Sequence, residues 1–151
     1  MGGPATAIEL LERGEKPEDS IRARFAGPKP RVAEAHWLRD RGAKALIDVS
    51  DGLVADAGQL AAASGVACVI EAARVPMCDG VEQDAALLGG EEFELLAALP
   101  ASNIAELSSE FEETFGFSLT GIGHVENGSG VRVMNAGVPV KLSGGFRHFE
   151  S

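Results

Sequence analysis

The chain has no tyrosine, one tryptophan and seven phenylalanines, so aromatic rings supply little of its apolar mass. That mass is Ala, Val, Leu and Ile, the composition of chains that pack helices on a sheet. Cysteine is also scarce: Cys68 and Cys78 are too few for a disulfide framework. Cys68 falls in the apolar run "VACVI", where a free thiol behaves as a small buried hydrophobe. No apolar run approaches the ~20 residues a membrane span needs. The start, "MGGPATAIELLERGE", has neither the basic opening nor the apolar centre of a signal peptide. These features make the reducing cytoplasm the expected setting.

Positive charge is scarce beyond residue 44. Residues 45–151 hold four Lys/Arg against sixteen Asp/Glu, a net −12, whereas residues 1–44 hold nine against seven, +2. A surface so acidic repels nucleic acid and anionic lipid, so neither is expected as a partner. It repels phosphate ligands too, unless divalent cations or another protein region bring positive charge.

What is present is ordinary for a soluble domain: 45% hydrophobic and 24% charged residues, in 151 residues without repeat or linker. One domain is expected, large enough for a real core. "ATAIELLERG" reads as a short amphipathic helix on Ile8, Leu10 and Leu11, stopped by Gly14. "KPEDSIRARF" gives another, capped by Asp19 or Ser20, and a third runs from about Arg31 to Arg41 before Gly42. The basic residues here are placed on solvent faces. "AKALIDVS" reads as a mostly buried strand, "DGLVADAGQLAAASG" as a helix with Leu53, Ala57 and Leu60 on one face, and "VACVIEA" as a second buried strand. Strand, helix, strand in so short a span suggests a βαβ unit with parallel pairing.

Further on, "DGVEQDAALL" reads as a helical turn or two and "GGEEFELLAALP" as a Gly-Gly turn into a third strand. "SNIAELSSEFEETFG" is a helix with Ile104, Leu107 and Phe111 inward. "FSLTGIGHVENG", "GVRVMN" and "VPVKL" are short strands separated by "NGSG" and "NAG" turns. The expected class is α/β, a mixed sheet covered by helices.

Two acidic stretches carry the chemistry. In "DVSDGL", Asp48 ends a strand, and Ser50, Asp51 and Gly52 open a helix. Carboxylates three positions apart across such a turn can converge on a hard cation such as Mg²⁺, which takes oxygen ligands and keeps several waters. The Ser50 hydroxyl and the helix N-terminal N–H groups would favour a phosphate oxygen there. The same residues also read as a plain helix cap, Ser50 or Asp51, beside a solvated strand end. In "GGEEFELL", paired glycines allow close backbone approach to a ligand, with Glu91 and Glu92 at the mouth of the next strand; alone, it is also simply a turn. No Walker A loop, G-x-S-x-G elbow or His/Cys metal spacing is present.

Together, "IDVSDGL", "GGEEFELL", "GIGHV" and "GGFRHF" resemble the C-terminal half of thiamine-monophosphate kinase, whose signatures read close to "DVSDGL", "GGEDYELL", "IGRV" and "GYDHF". The first motif is shared with a wider superfamily that includes aminoimidazole ribonucleotide synthetase and hydrogenase maturation proteins. The resemblance implies the fold of the aminoimidazole ribonucleotide synthetase C-terminal domain. It implies an activity that uses ATP and Mg²⁺ to phosphorylate thiamine monophosphate to thiamine diphosphate. Asp48 and Asp51 match the aspartates that hold magnesium, and Ser50 matches a residue at the ATP. Glu91 matches the contact to the thiamine end, and Phe146 the aromatic beside the substrate. An aromatic face there would attract a cationic thiazolium. No catalytic nucleophile or acid–base residue is implied, since phosphoryl transfer depends on positioning and charge neutralisation.

The sequence departs from the family at Glu92 for Asp, Phe93 for Tyr, His124 for Arg and Arg147 for Asp. Members also have an N-terminal half, a dimeric domain supplying most nucleotide and metal ligands, with no counterpart in these 151 residues. The chain is therefore expected to be an excised domain or a truncated product, inactive alone. It would expose an apolar patch that pairs with a missing N-terminal half or with a second copy. Two alternatives stand beside this: a non-catalytic binding or scaffold module of the same fold, or half of another superfamily enzyme such as the synthetase. Whether the chain is itself an enzyme is left open.

Overall fold

A run of three N-terminal helices precedes a mixed α and β body in the computed structural model, which describes residues 1–142. The helices are α1 (Gly3–Glu12), α2 (Asp19–Ala26) and α3 (Val32–Asp40). Then come β1 (Ala45–Val49), α4 (Leu53–Ser64), β2 (Val66–Glu71), α5 (Gln83–Leu88), β3 (Glu94–Ala98) and α6 (Ile104–Phe115). The short strands β4 (Gly123–Asn127), β5 (Gly130–Asn135) and β6 (Val138–Pro139) follow. The mixed class agrees with the composition.

The pairing does not follow the expected βαβ unit. β1 pairs antiparallel with β3, from Ala45 opposite Ala98 to Val49 opposite Glu94. β2 belongs to a second sheet, ordered β4-β2-β5-β6, where it pairs antiparallel with β4 and parallel with β5. Burial explains the difference. β2 buries four successive residues, Ala67 to Ile70, the signature of a strand covered on both faces. In β1 only Val49 is buried and Asp48 is exposed, so β1 is a half-wet ribbon strand rather than the mostly buried one expected. An apolar run of five residues cannot tell those two environments apart.

α4 behaves as its pattern predicts. Leu53, Ala57 and Leu60 are all buried, and Gly65 ends the helix in the left-handed conformation. Leu53 and Ala57 join Val49, Ile70, Val133, Leu87 and the free thiol Cys68 in the main core; burial pushes the Cys68 thiol up from its ordinary pKa. α1 differs. Its buried positions are Gly3, Pro4 and Ala7, and Leu11 is exposed. Small residues let this helix lie close: a Cβ on Gly3 would meet Arg24 Cδ at 3.2 Å and Cys78 Sγ at 3.3 Å. Leu107 and Phe111 of α6 are buried as expected, but Ile104, first residue of the helix, is 38% exposed. Phe111 and Phe115 pack on Trp37 of α3, with ring centroids 5.5 and 6.0 Å from it, and Phe117 packs in turn on Phe111.

A cleft of about 1230 Å³ opens between the β1–β3 ribbon and the β2–β4 side of the larger sheet, lined by Val49, Leu53, Cys68, Ile70, Leu96 and Phe111 among others. Among the described residues no helix is long and apolar enough to cross a membrane.

Leu87 is 0% exposed where α5 meets the main core. Leu87→Ala should cost about 2–5 kcal/mol of stability, read as a lower urea midpoint at unchanged slope.

Candidate functional site

Side chains alternate along β1, so burying Val49 turns Asp48 out to solvent. The chain leaves the strand through Ser50, Asp51 and Gly52 and enters α4. Gly52 has φ 120°, and a Cβ there would lie 2.6 Å from the Leu88 carbonyl oxygen at the end of α5. Gly90 is equally confined: its Cβ would lie 2.5 Å from the Ser50 carbonyl oxygen. With no side chains between them, the two acidic loops meet backbone to backbone.

Two hydrogen bonds seal that contact. The Glu91 N–H donates to the Ser50 carbonyl at 2.8 Å and the Phe93 N–H to the Val49 carbonyl at 2.8 Å. To make both, Glu91 and Phe93 take left-handed conformations, φ 63° and 49°, which are strained for residues with a Cβ. The outcome is a division of labour between adjacent acids. Glu91 is exposed on the rim, whereas Glu92 is only 4% exposed, where it accepts from the Gly2 N–H and from Arg24.

The sequence-predicted residues Asp48, Ser50, Asp51 and Glu91 therefore lie on two segments joined at the backbone, a rim on which Asp48 and Glu91 are exposed, Ser50 and Asp51 are half-buried, and Asp51 accepts from Gln59 at 3.5 Å. Phe146 and Arg147 lie outside the described residues. None of the four rim residues lines the large cleft, so cleft and rim are separate features. His124 lies on the edge strand β4, 3.5 Å from Glu126.

One expectation for this loop needs correction: neither Ser50 nor Asp51 caps the helix, and the N–H groups of residues 50–52 are engaged within the chain. Asp56, 1% exposed, folds back and takes all three with one oxygen: Ser50, Asp51 and Gly52 donate to Oδ2 at 2.9, 3.0 and 3.2 Å. Its Oδ1 accepts from Gln59 at 3.3 Å. Asp56 went unnoticed in the sequence, although an acidic residue three after Leu53 and four before Leu60 stands on the apolar stripe of its helix, which is itself a signal.

The basic residues of the N-terminal helices also differ from expectation. Arg24 and Arg31 are not surface decoration. Arg24 bonds Glu92 and Glu94, and Arg31 grips both oxygens of Glu94 at 3.0 Å while reaching Glu34. This network fastens α2 and α3 to the strand that follows the acidic loop. Burial alone would raise the Glu94 pKa, but hydrogen bonds and charge from Arg31, then Arg24, outweigh it and hold the carboxyl below its ordinary range.

Asp48 and Asp51 supply hard oxygen donors, the type Mg²⁺ takes. Among the described residues no group of three or more His, Cys, Asp or Glu gathers as a complete metal cage. Any cation here would complete its shell with water and ligand oxygens.

The family model for the AIR synthase related protein, C-terminal domain, matches residues 3–135. The chain belongs to that family. The thiamine-monophosphate kinase of Methanopyrus kandleri is 37% identical over 145 residues, covering 89% of this chain and 44% of the relative. That of Escherichia coli strain K12 is 32% identical over 163 residues, covering 98% and 50%. The crystal structure of thiamine-monophosphate kinase from Stenotrophomonas maltophilia K279a superposes with TM-score 0.83 at 32% identity, over 93% of this chain and 48% of that one. AaThiL complexed with AMPPCP and TMP superposes at 0.74 with 29% identity, over 99% and 48%. This AIR synthase-type domain thus spans about half the length of the curated relatives it matches, and it resembles the C-terminal half of thiamine-monophosphate kinases.

The Glu94 cluster gives this domain a defined acid response. A carboxyl with a depressed folded pKa contributes stability that is fully present above its unfolded value, about 4.3, and is lost as pH falls through the folded value. Urea midpoints should therefore drop below about pH 4.3. Glu94→Gln should lower stability at neutral pH and flatten that acid limb relative to wild type.

Proposed function

We propose that this chain is the metal- and substrate-facing half of a phosphotransferase that uses ATP and Mg²⁺ to convert thiamine monophosphate to thiamine diphosphate, and that it is inactive alone. The observation that supports the reading is the backbone stitch between the two loops, which sets the segments that carry Asp48, Ser50, Asp51 and Glu91 side by side. The relatives' names support the reaction class, and AaThiL, solved with AMPPCP and TMP, supports the ligand pair.

In this reading Asp48 and Asp51 would hold Mg²⁺, and Ser50 would face the nucleotide. Glu91 would meet the thiamine end, with Phe146 packing beside the substrate. Mg²⁺, when bound, neutralises charge on the phosphate oxygens. The protein's own part is to fix the carboxylates: Gly52 and Gly90 permit the close approach, and the inward pull on Glu92 leaves Glu91 presented outward. No residue here needs to act as a nucleophile, because in-line phosphoryl transfer relies on placement and charge.

Inactivity follows from charge. Residues 45–151 offer only Arg74, Arg132, Lys141 and Arg147, and Arg132 is committed to Glu126 at 2.6 Å. Each missing preorganised donor costs about 2.7–4 kcal/mol, or ~10²–10³-fold in rate. An N-terminal half, or a second copy of the chain, would have to bring the rest. The setting proposed is the cytoplasm.

The purified chain should show no conversion of thiamine monophosphate to the diphosphate, and a matching N-terminal half should restore part of it. Robust turnover by the chain alone would overturn the half-site reading. Mn²⁺ relaxation should report a weak site that Asp51→Asn weakens further. Equal Mn²⁺ binding by both proteins would remove Asp51 from the proposed metal site. Self-association with no response to metal, ATP or thiamine monophosphate would favour a non-catalytic module.

A further inference from the structure

We propose that Asp56 is a positioning residue that makes the Ser50–Gly52 turn a seat for cations and closes it to free anions, an inference that rests on the metal reading of Asp48 and Asp51 above. Three successive N–H groups at a strand-to-helix turn ordinarily form a concavity for phosphate or carboxylate. Here that concavity is already filled from within. Asp56 is 1% exposed and its Oδ2 accepts from all three N–H groups, while Oδ1 is engaged by Gln59.

Two consequences follow for the rim. The N–H donors of residues 50–52 converge inward on Asp56, so the polar side chains that the turn itself offers are those of Asp48, Ser50 and Asp51. Asp56 also adds a third negative charge behind the turn, which raises the attraction for a divalent cation and the repulsion of a bare phosphate. A phosphate group therefore reaches this turn only together with a metal ion, and metal binding precedes or accompanies phosphate binding.

A carboxylate is required for the task. It is acceptor-only, whereas an asparagine amide would turn either an N–H₂ towards three donors or its single oxygen away from Gln59. Gln59 extends the same control outward, since its Nε2 lies within reach of both Asp56 Oδ1 and Asp51 Oδ2, at 3.3 and 3.5 Å. Partners of this kind behind a metal ligand typically matter ~10–100-fold in affinity.

The test is amide NMR on the full 151-residue chain, with Mg²⁺ and inorganic phosphate as probes. In metal-free buffer, phosphate should leave the wild-type amide signals of residues 50–52 unmoved, and Mg²⁺ should shift them. Asp56→Asn, checked for folding by melting, should lose ~10–100-fold in Mg²⁺ affinity and gain a metal-independent phosphate response. A role confined to stability would not move those two readouts in opposite directions. Phosphate-induced shifts in metal-free wild type would overturn the proposal, and so would a folded Asp56→Asn that neither loses Mg²⁺ affinity nor gains a phosphate response. If the variant does not fold, the wild-type phosphate titration decides. Absence of Mg²⁺ binding by wild type would instead sink the metal reading, and the phosphate titration would still decide whether Asp56 closes the turn.

Discussion

The antiparallel pairing of β1 with β3, prolonged past the strand ends by the bonds from Glu91 and Phe93, is the interaction on which the rest of the molecule depends. The two acidic loops are about forty residues apart in sequence, and nothing local brings them together. Closing a loop of that length costs entropy. It is offset by a ladder of backbone hydrogen bonds and by the apolar contacts of Val49 and Leu96 with the main core. Glycine at positions 52 and 90 is what lets the loops approach this closely, since a methyl group at either would overlap a carbonyl oxygen.

Charge does a second job on the other side of the same strand. Glu92 and Glu94 face Arg24 and Arg31, so the N-terminal helices are tied to β3 by ion pairs that are partly shielded from water. Pairs of this sort are costly to break from one side, because the remaining charge stays desolvated. The +2 balance of residues 1–44 is thus put to use: its arginines neutralise part of the acidity of the segment behind the rim. The rim itself keeps its negative charge.

How much of this the sequence disclosed depends on the range of the cause. Helix α4 was legible because its stripe of Leu53, Ala57 and Leu60 and its terminal Gly65 are local signals, and the same holds for β3 and α6. The two acidic loops that carry Asp48, Ser50, Asp51 and Glu91 are visible as motifs, and the structure joins those loops at the backbone. Strand pairing was not legible: β1 and β2 carry similar apolar runs, and only the partners available in space decide that one joins β3 and the other lies between β4 and β5. Nor was the inward turn of Glu92, since two consecutive glutamates look alike until a neighbouring backbone fixes their φ angles. Asp56 was readable in principle, as a charge on a buried helical face.

The paired left-handed residues at Glu91 and Phe93 have a consequence for how this segment can change in length. They set which of two adjacent glutamates enters the protein and which leaves it. An insertion or deletion of one residue between Gly90 and Glu94 would exchange those orientations, sending the rim carboxylate towards Arg24 and the Gly2 amide and leaving its neighbour in water. Point substitutions in this stretch act one side chain at a time, whereas a shift in length reverses the whole assignment. The spacing from the paired glycines to β3 is therefore held by the chemistry on both of its faces at once.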